Sequence, residues 1–317
     1  MNSLLTIVIP VHNRAELVVR TLESLASSSC RDFQLIVVDN GSTDTTPEVC
    51  SRWIEEHAGL GFQAKLLREN RSGAPAARNR GLSACTTPWV YFFDSDDIFD
   101  NHFVEVATGL ATKGSELDVI FFSVCMEAGG KCRTRSYVPT GDPAAHIITS
   151  MLSTQSMLFR TEWLRSIGGW NERLKIWQDW ELGIRVLLSR PRFQWYTTRP
   201  FHHIVVHPES ITGCRFSDSL EGVLTAMDTA LADVHQSKHL SEKEYKRMKK
   251  ALYYRARILA GKVAKEGNPE GRKQCRNWAD RCLESTAVST RLAGDFLEIY
   301  TARGGRGAWS LVLKLLR

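Results

Sequence analysis

The sequence contains no apolar run near the length of about 20 residues that a membrane-spanning helix requires. No basic segment precedes the apolar stretch at its start, so we expect no signal peptide. No GxxxxGKS or GxxxxGKT pattern occurs, which excludes a P-loop nucleotide site. A loose GxGxxA pattern at 59–64 follows a helical segment and precedes a strand-like one, the wrong order for a dinucleotide-binding turn.

Cysteine is present, but without the spacing of a metal site. None of the eight cysteines forms a CxxC pair or stands beside a histidine cluster, so we expect no zinc site. Because no secretion signal is recognised, we expect reduced thiols rather than disulfides. These features predict a cytoplasmic protein, with peripheral attachment to the cytoplasmic face of a membrane left open.

Charge is distributed unevenly along the 317 residues. Residues 1–238 carry 23 basic and 27 acidic side chains, whereas residues 239–317 carry 18 basic and eight acidic ones. Strand-like patterns also stop near residue 216. We therefore predict a domain at 1–215 and a basic helical region at 216–317. The basic excess favours an anionic partner, but no recognition motif accompanies it, so we expect no nucleic-acid binding.

Short apolar runs alternate with helical patterns through the first part of the chain. Strands that alternate with helices at this spacing are typical of βαβ units with a parallel sheet. We therefore predict an α/β fold with a helical C-terminal appendage. A glycine pair at 129–130 predicts the turn of a hairpin that reaches residue 137. The strand-like runs fall at 4–11, 34–38, 62–67, 89–93, 119–124, 156–159, 193–196 and 201–206.

Three carboxylates follow the apolar run at 89–93 within four positions, at Asp94, Asp96 and Asp97. Like charges at the end of a buried strand repel one another, so a structural role does not account for all three. Mg²⁺ and Mn²⁺ prefer carboxylate oxygens as ligands, and open α/β sheets bind ligands beyond the carboxyl ends of their strands. The alternative is that Asp97 or Asp100 caps the following helix.

Six short motifs occur in order and together resemble the inverting nucleotide-sugar glycosyltransferases of family 2, which have the GT-A fold. The resemblance covers residues 4–212 and leaves the basic region outside. It implies a Rossmann-like, mostly parallel sheet flanked by helices. The motifs are Val8-Ile-Pro-Val-His-Asn-Arg14, Ile36-Val-Val-Asp-Asn-Gly-Ser-Thr-Asp44, Ala77-Arg-Asn-Arg-Gly81, Asp94-Ser-Asp-Asp97, Gly168-Gly-Trp170 and Gln178-Asp-Trp-Glu-Leu182.

The same resemblance implies a reaction and its partners. A sugar would move from a nucleotide diphosphate-sugar to a hydroxyl of a glycan or lipid-linked glycan, with inversion at the anomeric carbon. UDP-hexose or UDP-N-acetylhexosamine is the expected donor, and a divalent cation is the expected cofactor. A sugar-phosphate nucleotidyltransferase would instead need a glycine-rich loop and a lysine soon after the first strand, and neither is present.

By this resemblance, the nucleotide contacts residues that end the first strands. Asp39 matches the family's base-contacting aspartate, although Asp-Asn-Gly is also a common turn. Pro10, His12 and Asn13 end the first strand. The family often has an aromatic residue at position 12, so a stacking role and a solvent-facing position both stay open for His12. Arg78 lies on a helix that the family places against the nucleotide, with a solvated basic face as the alternative.

The resemblance also implies a metal site. Asp94 and Asp96 match a DxD pair in which the first aspartate faces the ribose and the second holds Mn²⁺ or Mg²⁺. Such a metal neutralises the charge that develops on the departing diphosphate. His207 lies where similar enzymes complete the metal shell, and His202 and His203 compete for that role.

Inverting transfer also needs a base, because the acceptor hydroxyl loses its proton as it attacks the anomeric carbon. Asp179 matches the family's aspartate for this role, with a carboxylate that stabilises a helix N-terminus as the alternative. Glu181 is the fallback base and a predicted acceptor contact. Trp170 matches an acceptor-side loop, although a core position is nearly as good an interpretation. Gln178 stands where the family usually has Glu, which leaves open a non-catalytic nucleotide-sugar or glycan-binding relative.

Helical patterns make up the basic region, at 241–265, 271–282 and 289–302. Ser241 and Glu244 fit a capping box at the start of the first of these helices. Residues 307–317 place a tryptophan and several leucines between basic residues, a pattern also found in helices that lie in a bilayer interface. Three interpretations stay open for the region: a solvated bundle, a homo-oligomer contact and peripheral membrane attachment.

Overall fold

A computed structural model describes residues 3–59, 61, 63–123, 125–128, 131–134, 140–205, 215–283 and 288–316. Contacts between residues divide the chain into two units. The first unit comprises 1–136, 152–175 and 191–207, and the second comprises 137–151, 176–190 and 208–317. These units are defined by contacts, so the domain boundary at 215 that composition favours stays a prediction.

The strands of the described chain belong to the first unit. They are β1 Leu5–Val11, β2 Phe33–Asp39, β3 Gln63–Arg68, β4 Trp89–Phe92, β5 Ile98–Phe99, β6 Val119–Phe122, β7 Cys125–Ala128, β8 Lys131–Thr134, β9 Met157–Arg160, β10 Phe193–Tyr196 and β11 His202–Val205. One sheet has the order β10-β6-β9-β4-β1-β2-β3, and the other has the order β5-β11-β7-β8. In the larger sheet every pair is parallel except the two that involve β9.

Helices in the described chain are divided between the two units. Those of the first unit are α1 Ala15–Ala26, α2 Thr46–Glu56, α3 Ala74–Ser83, α4 Phe103–Lys113 and α6 Thr161–Ser166. Those of the second unit are α5 Pro143–Thr149, α7 Gln178–Leu188, α8 Leu220–Gln236, α9 Glu242–Lys265, α10 Pro269–Asp280, α11 Val288–Ala302 and α12 Ala308–Leu315.

The apolar runs that alternate with helices form the centre of the larger sheet. Strands β1 and β4 are buried along their whole length, as expected for parallel strands covered on both faces. Strand β1 is in parallel register with β2 from Leu5 opposite Phe33 to Val11 opposite Asp39. The polar segments that follow β1, β2 and β4 therefore begin at one edge of the sheet. The predicted α/β fold, with a mostly parallel sheet and a helical C-terminal region, is confirmed.

The direction of strand β9 and two short elements, β5 and α6, differ from what the sequence predicts. The run at 156–159 forms a strand, but β9 runs antiparallel to β4 and β6. Strands β7 and β8 pair antiparallel, as the hairpin prediction requires. The glycine turn of that hairpin and its extension to residue 137 lie outside the described residues. Strand β5 and helix α6 were not predicted, because each is too short to show a periodic pattern.

In the second unit, α9 packs against α5, α8, α10 and α11. The predicted capping box is confirmed at its start, where Glu244 N–H donates to Ser241 Oγ at 3.3 Å and Ser241 N–H donates to Glu244 Oε2 at 2.8 Å. The three predicted helices of the basic region correspond to α9, α10 and α11. Across the described ranges, no helix combines the length and apolar character that crossing a bilayer requires.

Candidate functional site

Loops that follow β1 and β2 are joined by hydrogen bonds. The backbone N–H of Asn13 donates to Ser42 Oγ at 3.0 Å. His12 Nδ1 donates to the carbonyl oxygen of Asn40 at 3.0 Å. Asn13 has φ of 49°, in the left-handed region that asparagine tolerates better than most residues. The structure thus brings His12 and Asn13 to the loop that Asp39 begins.

Asp39 is buried at the end of β2, with 3% of its surface exposed. Its Oδ1 accepts a hydrogen bond from the backbone N–H of Ser42 at 3.1 Å, so the predicted turn contact is present. The contact fixes the orientation of the carboxylate at the strand end. Pro10, by contrast, lies within β1 in register with Val38 and is buried there.

Asn40 connects this loop to the segment after β3, a role that the sequence did not indicate. Its Nδ2 donates to the carbonyl oxygens of Glu69 and Arg71, at 3.1 and 2.7 Å. Its Oδ1 accepts from the backbone N–H of Gly73 at 2.7 Å. Gly73 has φ of 117° and immediately precedes α3. One side-chain amide therefore holds the segment that positions the start of α3.

Arg78 of α3 is buried and forms an ion pair with the partly exposed Asp94. Its Nη2 donates to Asp94 Oδ1 at 2.6 Å, and its guanidinium carbon lies 4.5 Å from the centroid of the Trp170 ring. Only 5% of Arg78 is exposed. The alternative of a solvated basic face is therefore wrong for Arg78. The structure places the predicted nucleotide residues Arg78 and Asp94 together.

Gln155 is the polar partner of Asp94 that sequence reasoning missed. Its Nε2 donates to Asp94 Oδ2 at 2.9 Å and to Asp97 Oδ2 at 2.6 Å. Its backbone carbonyl accepts from the Tyr91 hydroxyl at 2.5 Å. Together with Arg78, it engages both oxygens of Asp94. No residue pattern signals this contact, because Gln155 stands in a 3₁₀ turn just before β9.

Replacing Gln155 with leucine is expected to remove the side-chain amide that donates hydrogen bonds to both Asp94 and Asp97. Hydrogen bonds to charged groups contribute about 1.5–3 kcal/mol, so we expect the apparent KM for the nucleotide-sugar donor that the resemblance implies to rise about tenfold or more. Because the amide of Gln155 does not titrate and donates to the carboxylates that it orients, kcat should fall much less than 1/KM. The exposed Gln63→Ala variant, on β3, is the matched control. Equal losses in kcat and 1/KM would contradict the positioning role.

Asp97 does not cap the following helix. It is buried and bonded to Gln155, whereas α4 begins at Phe103. The capping alternative is therefore wrong for Asp97. Asp100 Oδ1 instead accepts from the backbone N–H of His102 at 2.9 Å, immediately before α4.

Asn79 fixes the loop that contains Trp170. Its Nδ2 donates to the Trp170 carbonyl at 2.8 Å, and its Oδ1 accepts from the Trp170 N–H at 2.9 Å. A Cβ at Gly169, which has φ of 61°, would lie 2.7 Å from Asn79 Oδ1, so the loop requires glycine. Trp170 is 1% exposed and packs edge-on against Phe92. This burial argues against a sugar-stacking role for Trp170 and favours the core alternative.

The predicted metal site depends on few protein ligands. Among the described residues, no group of three His, Cys, Asp or Glu side chains converges to hold an ion. Mg²⁺ commonly binds through one or two carboxylates together with substrate phosphates. Asp96 is half-buried just beyond β4, where its carboxylate provides that type of ligand. The residues present therefore fit a cation held jointly with a diphosphate, and do not form a closed protein cage.

Three histidines, His207, His202 and His203, are the predicted additions to the metal shell. His207 lies outside the described residues. His202 and His203 lie in β11, in register with Phe99 and Ile98 of β5. The choice among these three histidines stays a prediction.

Asp179 belongs to the second unit and lies in the first turn of α7. It is half-buried, and its Oδ1 accepts from the backbone N–H of Trp180 at 2.8 Å. A carboxylate in this turn also interacts favourably with the helix dipole. The start of α7 is anchored on α5, because Trp180 Nε1 donates to the Ile147 carbonyl at 3.1 Å and His146 Nε2 donates to the Trp180 carbonyl at 3.0 Å. Burial lowers the pKa of His146 to about 4, so its ring is neutral at neutral pH.

Glu181 is fully buried and forms an ion pair with Arg185 one turn along α7. This burial argues against its roles as acceptor contact and fallback base. Burial, and next the Glu181 carboxylate, raise the pKa of Asp233 in α8 to about 7. The two acids and Arg185 therefore form a buried charged cluster that joins α7 to α8.

The Asp233→Asn variant is expected to change how stability depends on pH. Because the pKa of Asp233 is raised on folding, the folded chain retains a proton that the unfolded chain releases. The free energy of unfolding should therefore fall as pH rises from about 4 to about 7. The asparagine side chain cannot ionise, so at pH 8 we expect the variant to be more stable by on the order of 2 kcal/mol. Urea unfolding at several pH values measures the free energy of unfolding of the variant and of the unmodified chain. The exposed Asp218→Asn variant serves as control, and an unchanged pH slope in Asp233→Asn would contradict the assignment.

Comparison with known proteins gives matches in both sequence and structure. The family described as "Glycosyl transferase family 2" matches residues 6–168. A similar protein is the "PGL/p-HBAD biosynthesis glycosyltransferase" of Mycobacterium bovis (strain BCG / Pasteur 1173P2). It is 27% identical over 203 residues, which span 63% of this chain and 74% of that protein.

Two solved structures are similar in fold. The crystal structure of S. aureus TarS 1-349 in complex with UDP-GlcNAc has a TM-score of 0.63 and 16% identity, covering 95% of this chain and 92% of that one. The mannosyltransferase PcManGT from Pyrobaculum calidifontis, in complex with GDP-Man and Mn²⁺, has a TM-score of 0.61 and 17% identity, covering 100% of this chain and 85% of that one. At this level of identity, the similarity concerns the fold.

Proposed function

This chain belongs to glycosyl transferase family 2, and we propose that it transfers a sugar from a nucleotide diphosphate donor to a hydroxyl of a glycan or lipid-linked glycan, with inversion. UDP-hexose or UDP-N-acetylhexosamine is the proposed donor. The observation that carries the proposal is the clamp on Asp94 at the end of β4, formed by Arg78 and Gln155. Family membership alone does not define a reaction, whereas an oriented carboxylate at a sheet's ligand-binding edge supports one.

Nucleotide recognition is assigned to the loops at this edge. The buried Asp39 carboxylate accepts hydrogen bonds, so it suits a uracil N–H or a ribose hydroxyl. Asp94 is proposed to contact the ribose, with its orientation set by Arg78. His12 and Asn13 border the same loop through their hydrogen bonds. These assignments agree with a nucleobase and ribose that lie across the ends of β1 and β2.

Asp96 is the residue proposed to hold a divalent cation, Mn²⁺ or Mg²⁺, together with the donor diphosphate. When bound, the cation would supply neutralisation of the charge that develops on the departing diphosphate. Arg78 supports the same site by a different means. Its pairing with Asp94 limits repulsion between that carboxylate and the neighbouring Asp96.

Asp179 is the proposed general base. In a single displacement, the acceptor oxygen forms a bond to the anomeric carbon while the bond from that carbon to the diphosphate oxygen breaks. The hydroxyl proton passes to the Asp179 carboxylate, and the diphosphate leaves with the bonding electron pair. The hydrogen bond from the Trp180 N–H to Oδ1 supports this role, because it orients the carboxylate on a helix that α5 anchors.

Similar proteins give further support for a nucleotide-sugar donor. The TarS structure contains UDP-GlcNAc, and the PcManGT structure contains GDP-Man with Mn²⁺. The name of the mycobacterial relative describes it as a biosynthesis glycosyltransferase. A UDP donor is proposed, and the buried Asp39 carboxylate supports it by offering an acceptor for the uracil N–H.

Gln178 favours a second candidate function, a relative that binds nucleotide-sugar or glycan without turnover. It is the first residue of α7 and stands beside the proposed base. Calorimetry separates the two functions. Donor binding without release of nucleoside diphosphate, in the presence of acceptor mixtures, would favour the non-catalytic relative.

The proposal is tested by release of nucleoside diphosphate from a panel of nucleotide-sugars, with glycan and lipid-linked acceptors and with Mn²⁺ or Mg²⁺. We expect release from a UDP-sugar, stimulated by acceptor and abolished by chelation. No release from any donor would contradict an active transferase. Release that persists after exhaustive chelation would contradict the metal role of Asp96.

A further inference from the structure

An apolar face on the last two described helices lies outside the proposed reaction. Of the seven large apolar side chains that are exposed in the described chain, six lie on α11 and α12. Positions 288, 292, 296 and 299 recur at intervals of four, four and three, which places them on one side of α11. We call this set the α11/α12 face: Val288, Leu292, Phe296, Ile299, Trp309 and Leu315.

The opposite side of α11 is already packed, so this face is not needed for the contact with α9. Gly294 and Leu297 are buried on that side. A Cβ at Gly294 would overlap the Tyr253 ring of α9, which shows how closely the two helices approach. The outward side chains are nevertheless large: Phe296 is 58% exposed and Trp309 is 47% exposed. The four outward side chains of α11 lie along one side of the helix, and exposed apolar surface of this kind marks an interaction site.

Basic side chains accompany the α11/α12 face. Arg303, Arg306 and Lys314 are exposed, and no carboxylate of the described residues lies within ion-pair distance of any of them. The two acidic residues of α11 are neutralised by the bundle. Asp295 pairs with Arg257, and Glu298 is fully buried against Arg257, Arg272 and Arg276. Asp295 stays half exposed within its pair with Arg257, so the exposed charge of this surface that has no opposite partner among the described residues is positive.

We propose that the α11/α12 face docks onto an anionic lipid surface. Apolar side chains that include a tryptophan, bordered by exposed cations, match the interfacial region of a bilayer, where the chains insert and the cations contact anionic headgroups. A second copy of this chain fits less well. A symmetric dimer would pair the same patch with itself and bring its three cations towards those of the partner.

Co-sedimentation with vesicles tests this docking. The full chain is mixed with vesicles of phosphatidylcholine alone, or with about one-third phosphatidylglycerol, at low and high salt. We expect binding to the anionic vesicles, weakening at high salt, and little binding to the neutral ones. Absence of binding to anionic vesicles, or equal binding to both kinds, would overturn the proposal.

Two matched pairs of variants locate the contact. The triple variant R303Q/R306Q/K314Q is expected to lower the vesicle partition coefficient about a hundredfold, whereas R20Q/R52Q/K113Q removes the same charge from exposed sites elsewhere and should have much less effect. Likewise, Phe296→Gln should weaken binding about fivefold or more. Phe193→Gln, at an exposed large apolar residue of the described chain outside α11 and α12, should not. Circular dichroism checks that each variant is folded.

The proposal fails if the members of either pair weaken binding equally. It also fails if analytical ultracentrifugation without lipid shows a dimer that Phe296→Gln dissociates, because a second copy would then cover the face.

Discussion

Replacing Asp179 with asparagine is expected to lower the rate of sugar transfer by at least about 100-fold while leaving donor affinity unchanged. Asparagine keeps the oxygen that accepts from the Trp180 N–H, so the first turn of α7 should retain its geometry. Its uncharged amide cannot take up the proton of the acceptor hydroxyl at neutral pH. The loss should therefore appear in kcat, with the calorimetric donor Kd close to that of the unmodified chain.

The control for this experiment is Asp218→Asn, an exposed aspartate of the same unit. Its activity should equal that of the unmodified chain. Full activity of Asp179→Asn would show that another group takes the proton. Glu181, the other residue predicted as a base, is buried in its pair with Arg185. The general base would then have to be a residue other than these two.

A second large effect, on donor binding, is expected when either member of the ion pair between Arg78 and Asp94 is replaced. Arg78→Met removes the buried cation of the pair, and Asp94→Asn removes its charged partner. Each change should weaken donor binding by about tenfold to a hundredfold, because hydrogen bonds between charged groups are strong and an unpaired partially buried charge is unfavourable. Asp94 keeps about one-third of its side chain exposed, so solvent reduces the effect below that of a fully buried pair.

A double-mutant cycle identifies the pair itself. The R78M/D94N variant should bind donor more tightly than the sum of the single losses predicts, with a coupling free energy of about 1–3 kcal/mol. Arg80→Met, an exposed arginine of the same helix, is the matched control and should bind donor normally. Strict additivity of the two losses would mean that Arg78 and Asp94 act independently.

Local patterns in the sequence were sufficient to predict the strand ends that carry the site. A buried apolar run followed by polar residues marks β1, β2 and β4, and parallel pairing places their ends at one edge. The pattern places Asp39 and Asp94 at strand ends, whereas their proposed contacts with the nucleotide come from the resemblance to family 2. The pairing of Arg78 with Asp94 was not predicted, although both residues were, because the choice between a solvated and a buried arginine depends on packing around Trp170.

Contacts between distant segments account for most of what sequence reasoning missed. Gln155 reaches Asp94 because β9 inserts antiparallel beside β4, and nothing in a run of four apolar residues specifies strand direction. Burial of Trp170 and Glu181 likewise depends on partners elsewhere in the chain, Phe92 for one and α8 for the other. The resemblance to family 2 suggested an acceptor-side position for Trp170, with the core as the alternative, and Glu181 was the fallback base and a predicted acceptor contact.

The most direct test of the proposed reaction is the anomeric configuration of the first sugar released from the donor. Slow transfer to water needs no knowledge of the acceptor. Time-resolved proton NMR of an α-linked UDP-sugar with the chain and Mg²⁺, which is diamagnetic and leaves the signals sharp, identifies the first product. We expect the β anomer to form first, to depend on the divalent cation, and to be absent with Asp179→Asn. Initial release of the α anomer would contradict single-displacement inversion with Asp179 as the base.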